Sequence, residues 1–129
     1  MANQFVVELK NEPGGLAILA EALAERGIDL RAIGGGGIGS TGHIIMTTAD
    51  DDGARAVLEA GGYTFIEGES ILTEVDDRPG GMARLSRELA DAGVNIFGHL
   101  FLGRWGDRAM FAFVVDDADR ARPILERKA

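Results

Sequence analysis

Residues 11–30 read Asn-Glu-Pro-Gly-Gly-Leu-Ala-Ile-Leu-Ala-Glu-Ala-Leu-Ala-Glu-Arg-Gly-Ile-Asp-Leu, and residues 77–96 read Asp-Arg-Pro-Gly-Gly-Met-Ala-Arg-Leu-Ser-Arg-Glu-Leu-Ala-Asp-Ala-Gly-Val-Asn-Ile. One constant offset, with no gap, carries Pro13 to Pro79, Gly14 to Gly80, Gly15 to Gly81, Leu19 to Leu85, Leu23 to Leu89 and Gly27 to Gly93. In the first copy Leu16, Leu19, Ala20 and Leu23 follow the i, i+3, i+4, i+7 spacing of one helix face. Pro13 suits the start of that helix and Gly27 its left-handed stop. Two copies are too few for a solenoid, which needs three or more repeats to bury a continuous core, so the chain reads as two similar modules in tandem.

Outside the repeat the first module continues in a regular order. Gln4 to Leu9 is short, apolar and β-branched, as a buried strand is. Asp29 to Ile33 and His43 to Thr48 read as two strands of a hairpin with a loose, glycine-rich tip over Gly34–Gly42. Asp50-Asp51-Asp52 supplies an N-cap and helix-favouring charge for a second helix that ends at Gly61-Gly62. Tyr63 to Ile66 is a further strand. The order β-α-β-β-α-β is the split βαβ plan, with two helices on one face of an antiparallel sheet.

The second module repeats the plan: strand Ile71–Val75, helix Gly81–Ala92, strand Asn95–Leu102, turn Gly103–Asp107, strand Arg108–Val115 and helix Asp117–Glu126. Only a short tail follows, so its final strand is expected to be missing. The expected fold class is therefore α+β, two ferredoxin-like modules over residues 1–69 and 70–129.

Composition narrows the function. The chain has 129 residues, 46% of them hydrophobic, and a net charge of −8. Nucleic acid is an unsuitable partner for such a chain, because lysine and arginine must neutralise its phosphates. With no cysteine there is no disulfide, thiol nucleophile or cysteine-based metal site. No leader-like segment and no apolar run of about 18 residues is visible, so no membrane association and a cytoplasmic location are expected. His43 and His99 fall at different points of their modules, which gives no metal pair. No catalytic constellation stands out, and neither an enzyme nor a bound cofactor is expected. Gly34, Gly36 and Gly39 match a dinucleotide-binding spacing but lead into a strand rather than opening a helix, so they lack that mechanism.

The repeated turn is the candidate site. A strand, a Pro-Gly-Gly turn and a helix start bring backbone N–H groups to one point at the positive end of a helix dipole, which suits a carboxylate or phosphate. Asn11 and Asp77, just before each turn, can accept hydrogen bonds from an ammonium group. Together they make a crude amino-acid receptor. The plainer alternative is that Pro-Gly-Gly only shapes a turn.

These residues resemble the ACT-domain family. Its strand, Asn or Asp, Pro-Gly, helix and Gly-Ile-Asn-Ile pattern stands here as Asn11-Glu12-Pro13-Gly14 through Gly27-Ile28-Asp29-Leu30, and again as Asp77-Arg78-Pro79-Gly80 through Gly93-Val94-Asn95-Ile96. The resemblance covers nearly the whole chain. It implies a ferredoxin-like fold and a non-catalytic sensor or regulatory protein that binds a small molecule, most often an amino acid, at the contact between modules. The implied binding residues are Asn11, Gly14, Gly15, Leu16 and Asp29, with Asp77, Gly80, Gly81, Met82 and Asn95 in the second copy. A regulated enzyme partner fits this reading. So does an interaction module that has kept the fold without a ligand. The missing strand leaves Ile71–Val75 as an edge, from which a homodimer is expected.

Overall fold

Each Pro-Gly-Gly turn carries the chain from a strand into a helix, and both glycines are required there. Gly14 and Gly80 are the N-cap residues, with φ of 90° and 91° in the left-handed region that side chains disfavour. The next glycine lies against the strand just left. A Cβ on Gly15 would stand 2.8 Å from the Lys10 carbonyl oxygen, and one on Gly81 would stand 2.3 Å from that of Asp76.

The structure is a computed structural model, and it describes residues 2–126. The chain divides into two compact units, one through Gly68 and one from Glu69. The first contains β1 (Asn3–Lys10), α1 (Gly15–Glu25), β2 (Leu30–Ile38), β3 (Thr41–Thr48), α2 (Asp51–Ala60) and β4 (Phe65–Glu69), with the sheet ordered β2-β3-β1-β4. Phe5 and Val7 of β1 and Ile44 and Met46 of β3 point to one face, where Leu19 and Leu23 of α1 and Val57 and Leu58 of α2 cover them. Asp50 caps α2 by accepting from the Gly53 amide at 3.0 Å, as its place before the helix implies.

The second unit contains β5 (Ile71–Asp76), α3 (Gly81–Asp91), β6 (Ile96–Trp105), β7 (Arg108–Val115) and α4 (Ala118–Leu125), with the sheet ordered β5-β7-β6. Ile71, Val75, Leu85, Leu89, Phe113 and Leu125 form its core. Among the described residues no strand follows α4, so β5 is an edge strand in this sheet. Its inward side chains are nonetheless covered: Ile71 and Val75 are buried in the second core, and the Thr73 hydroxyl donates to the Leu125 carbonyl at 2.5 Å. No helix among the described residues is long and apolar enough to cross a membrane. The fold is thus α+β, with the ferredoxin-like order repeated and, among the described residues, no fourth strand in the second sheet.

The glycine run departs from the sequence reading. Gly34–Gly37 is no loose tip but the middle of β2, laddered against β3 from Gly34 opposite Ile45 to Ile38 opposite Thr41. The turn is confined to Gly39 and Ser40. Glycine lacks the side chain that usually signals a strand, but its partner β3 supplies the ladder.

A charged clamp closes the first unit. Arg55 of α2 donates from Nε and Nη2 to the two Glu67 carboxylate oxygens at 2.6 and 2.7 Å, and Asn3 Nδ2 adds a third bond at 2.8 Å. Hydrogen bonding from Arg55 outweighs the desolvation of Glu67 and lowers its pKa below the ordinary value of 4.5. A depressed carboxylate pKa stabilises the folded state above the unfolded value, and this is lost as pH falls through the folded value. Urea titrations of Glu67→Gln and the unchanged protein should therefore differ most near neutral pH and converge in acid below the usual carboxylate range. A difference that stays constant with pH would remove the clamp from the stability account.

Candidate functional site

The turn after β1 opens onto a groove of about 380 Å³ on the helix-covered side of the first sheet. Its apolar lining comes from Leu9, Leu16, Ile33 and Ile44, and its polar rim from Lys10, Asn11, Glu12 and His43. Leu16 and Ile33 are 50% and 48% exposed, which is high for large aliphatic side chains and places them as open walls rather than core. Backbone of Gly34, Gly35 and Gly36 forms the remainder. Gly35 cannot be filled in: a Cβ there would stand 2.2 Å from the His43 carbonyl oxygen.

Of the first turn of helix α1, Leu16 lines this groove. The Gly15 amide donates to the Glu12 carbonyl at 3.2 Å and the Ile18 amide to that of Gly14 at 3.0 Å. Between them the Leu16 and Ala17 amides have no acceptor among the described residues. They are the unsatisfied donors of a helix start, at the positive end of the dipole. Neither cap glycine offers a side chain to satisfy them.

Asn11 is held by the hairpin turn rather than free. Its amide donates to Ser40 O and its Nδ2 to Gly39 O, each at 3.0 Å. The side chain lies directly over Gly37, where a Cβ would come within 2.6 Å of Oδ1. The arrangement leaves Oδ1 as an acceptor with no donor among the described residues.

The second unit repeats the turn but surrounds it with different side chains. Asp77 donates its amide to the Asp107 carbonyl at 2.8 Å, matching Asn11, while its carboxylate receives Arg104 Nε at 2.8 Å. Asp76 sits among Arg78, Arg84 and Arg108. Met82 packs against the second core instead of lining an open wall. The cavity beside Gly81 holds about 90 Å³ and corresponds to the one of about 350 Å³ that Gly15 and Ile18 line in the first unit, rather than to the Leu16 groove.

Of the residues read from the sequence, the groove lining gathers Asn11 and Leu16, with Gly14 and Gly15 shaping the turn beside them. Asp29 is not among them. It precedes β2 at the opposite end of the sheet, where its carbonyl accepts from Ala49 and its carboxylate lies 3.3 Å from Arg31. Asn95 holds the matching place, bonded through its amide to the Asp116 carboxylate at 2.9 Å. Lys10, Ile33, His43 and Ile44 were missed by sequence reasoning. The available signal was the glycine run itself, whose lack of side chains exposes the strand backbone.

No protein-family model matches the chain, and no curated protein matches it. Solved structures do. A protein from Bacteroides thetaiotaomicron superposes with a TM-score of 0.71 at 22% identity, over 97% of this chain and 86% of that one. The ligand-free regulatory subunit of aspartate kinase from Thermus thermophilus gives 0.63 at 23% identity, over 97% and 87%. The corresponding subunit from Thermus flavus gives 0.63 at 22% identity, over 97% and 90%. Repeated element order, turn chemistry and these likenesses agree, and the chain has the fold of tandem ACT-like modules.

Proposed function

We propose that this is a non-catalytic regulatory protein that binds an α-amino acid with an aliphatic side chain in the groove of its first unit. The observation that carries the reading is the pair of acceptor-less amides in the first turn of α1, at Leu16 and Ala17, where Leu16 is one wall of an open, apolar-walled groove. A ligand carboxylate suits those amides and Lys10. Its ammonium suits Asn11 Oδ1 and Glu12, and its side chain suits Leu16, Ile33 and Ile44. The groove contributes no cysteine or serine nucleophile, and its single histidine has no carboxylate orienting it among the described residues. The regulatory part of the reading is supported by the aspartate kinase subunits that share the fold, and it implies an enzyme partner. A homodimer through the β5 edge belongs to the same reading, and sedimentation at micromolar concentration tests it.

Thermal-shift screening of the amino acids tests the ligand. A ligand at about 100 times its Kd adds roughly 2.7 kcal/mol of stability. Leucine, isoleucine or valine should give the largest shift. Leu16→Trp should weaken that ligand at least tenfold while circular dichroism stays native, because Trp fills the groove from an exposed position. A protein that no amino acid stabilises would instead favour the second reading, an interaction module that retains the fold without a ligand.

A further inference from the structure

Strand pairing, rather than sequence offset, gives the true correspondence between the two hairpins. Lys10 opposite Thr41 matches Asp76 opposite Arg108. Gly35 opposite Ile44 then matches Phe101 opposite Phe111, and Gly37 opposite Gly42 matches Arg104 opposite Ala109. β6 absorbs one extra residue, Leu102, in the irregularity between Phe101 and Gly103. This extra residue is what shifts the pairing.

Both differences fall on the groove. Where β2 has bare glycine, β6 carries Phe101, whose ring meets the Phe111 ring edge-on with centroids 5.5 Å apart. Where β2 has Gly37 beneath Asn11, β6 carries Arg104. Its guanidinium lies 4.7 Å from the Phe101 ring centroid and donates to Asp77, the counterpart of Asn11. An aromatic side chain, 48% exposed, and a cation thus stand in the second unit where the first has bare glycine, the cation bonded to the same turn position. These are the two chemical features proposed above for the ligand, supplied by the chain itself.

We infer that Phe101 and Arg104 form a built-in plug in the second unit, so that each chain takes one amino acid, in the first unit, rather than two. The inference rests on the proposed ligand reading for its first half alone. The plug is an intramolecular occupant, present at an effective concentration that a free amino acid in solution does not match. Asp77 is accordingly the anchor of Arg104 and not a receptor for a ligand ammonium.

Equilibrium dialysis against an equimolar mixture of the twenty protein amino acids, followed by amino-acid analysis, counts the bound equivalents per chain. One equivalent is expected for the unchanged protein and two for the double variant Phe101→Gly, Arg104→Gly. Two equivalents in the unchanged protein, or no gain in a folded double variant, would overturn the plug. If the unchanged protein binds none and the double variant binds one, the first-unit reading fails while the plug stands. If neither binds, both fail. Should the double variant not fold, Leu16→Trp decides: zero equivalents are expected, and one remaining equivalent would show that the second unit was open all along.

Discussion

Gly81→Ala should destabilise the second unit by roughly 2–3 kcal/mol, because the new Cβ would stand 2.3 Å from the Asp76 carbonyl oxygen and 3.0 Å from Val75 Cγ1. Neither neighbour is the loose end of a flexible side chain. Relief requires α3 to move off β5, which opens the contact of Leu85 with the core. Gly80→Ala is the informative control. It meets only the flexible end of Arg84 at 3.6 Å, so its cost is the left-handed backbone alone, about 1–2 kcal/mol. Trp105 is the single tryptophan and lies in β6, so urea unfolding followed by its fluorescence reports this unit. Equal stability of Gly81→Ala and the unchanged protein would show that the turn tolerates a side chain and that its second glycine is not a steric requirement.

Val75→Lys should be the most damaging single change in the second unit, at about 3–5 kcal/mol. Val75 is 7% exposed within the core that Leu85, Leu89 and Phe113 complete, and an ammonium on that apolar face loses its hydration. Leu72→Lys, three residues earlier on the other face of the same strand and 40% exposed, should cost under about 1 kcal/mol. The pair separates two roles of β5. If Val75→Lys leaves urea stability intact but changes sedimentation, the strand's inward residues serve assembly rather than folding.

The elements were legible wherever local chemistry dictates them. Leu19 and Leu23 recur at Leu85 and Leu89 because both helices bury the same face. Gly14 and Gly80 recur because the turn imposes a positive φ, and Asp50 and Asp117 each accept a helix-start amide, as their places predict. What escaped the sequence is set by partners far along the chain. Nothing in Gly34–Gly37 announces a strand, since its regularity comes from β3. Asp77 reads as a free carboxylate until Arg104 is brought to it across the hairpin. The match between Gly37 and Arg104 is hidden because Leu102 breaks the constant offset within β6 and only strand pairing reveals the break. Asp29 was read into the site through the family resemblance, and within its own unit it lies away from the groove that Leu16 and Asn11 line.

The central claim, an amino-acid site in the first unit alone, is tested most directly by mapping backbone amide chemical shifts while the most stabilising amino acid is added. Shifts are predicted at Leu16, Ala17, Gly35 and Gly36, with Met82, Ala83 and Phe101 unmoved. Shifts at Met82 and Ala83 with none at Leu16 and Ala17 would contradict the account, as would a spectrum that no amino acid changes.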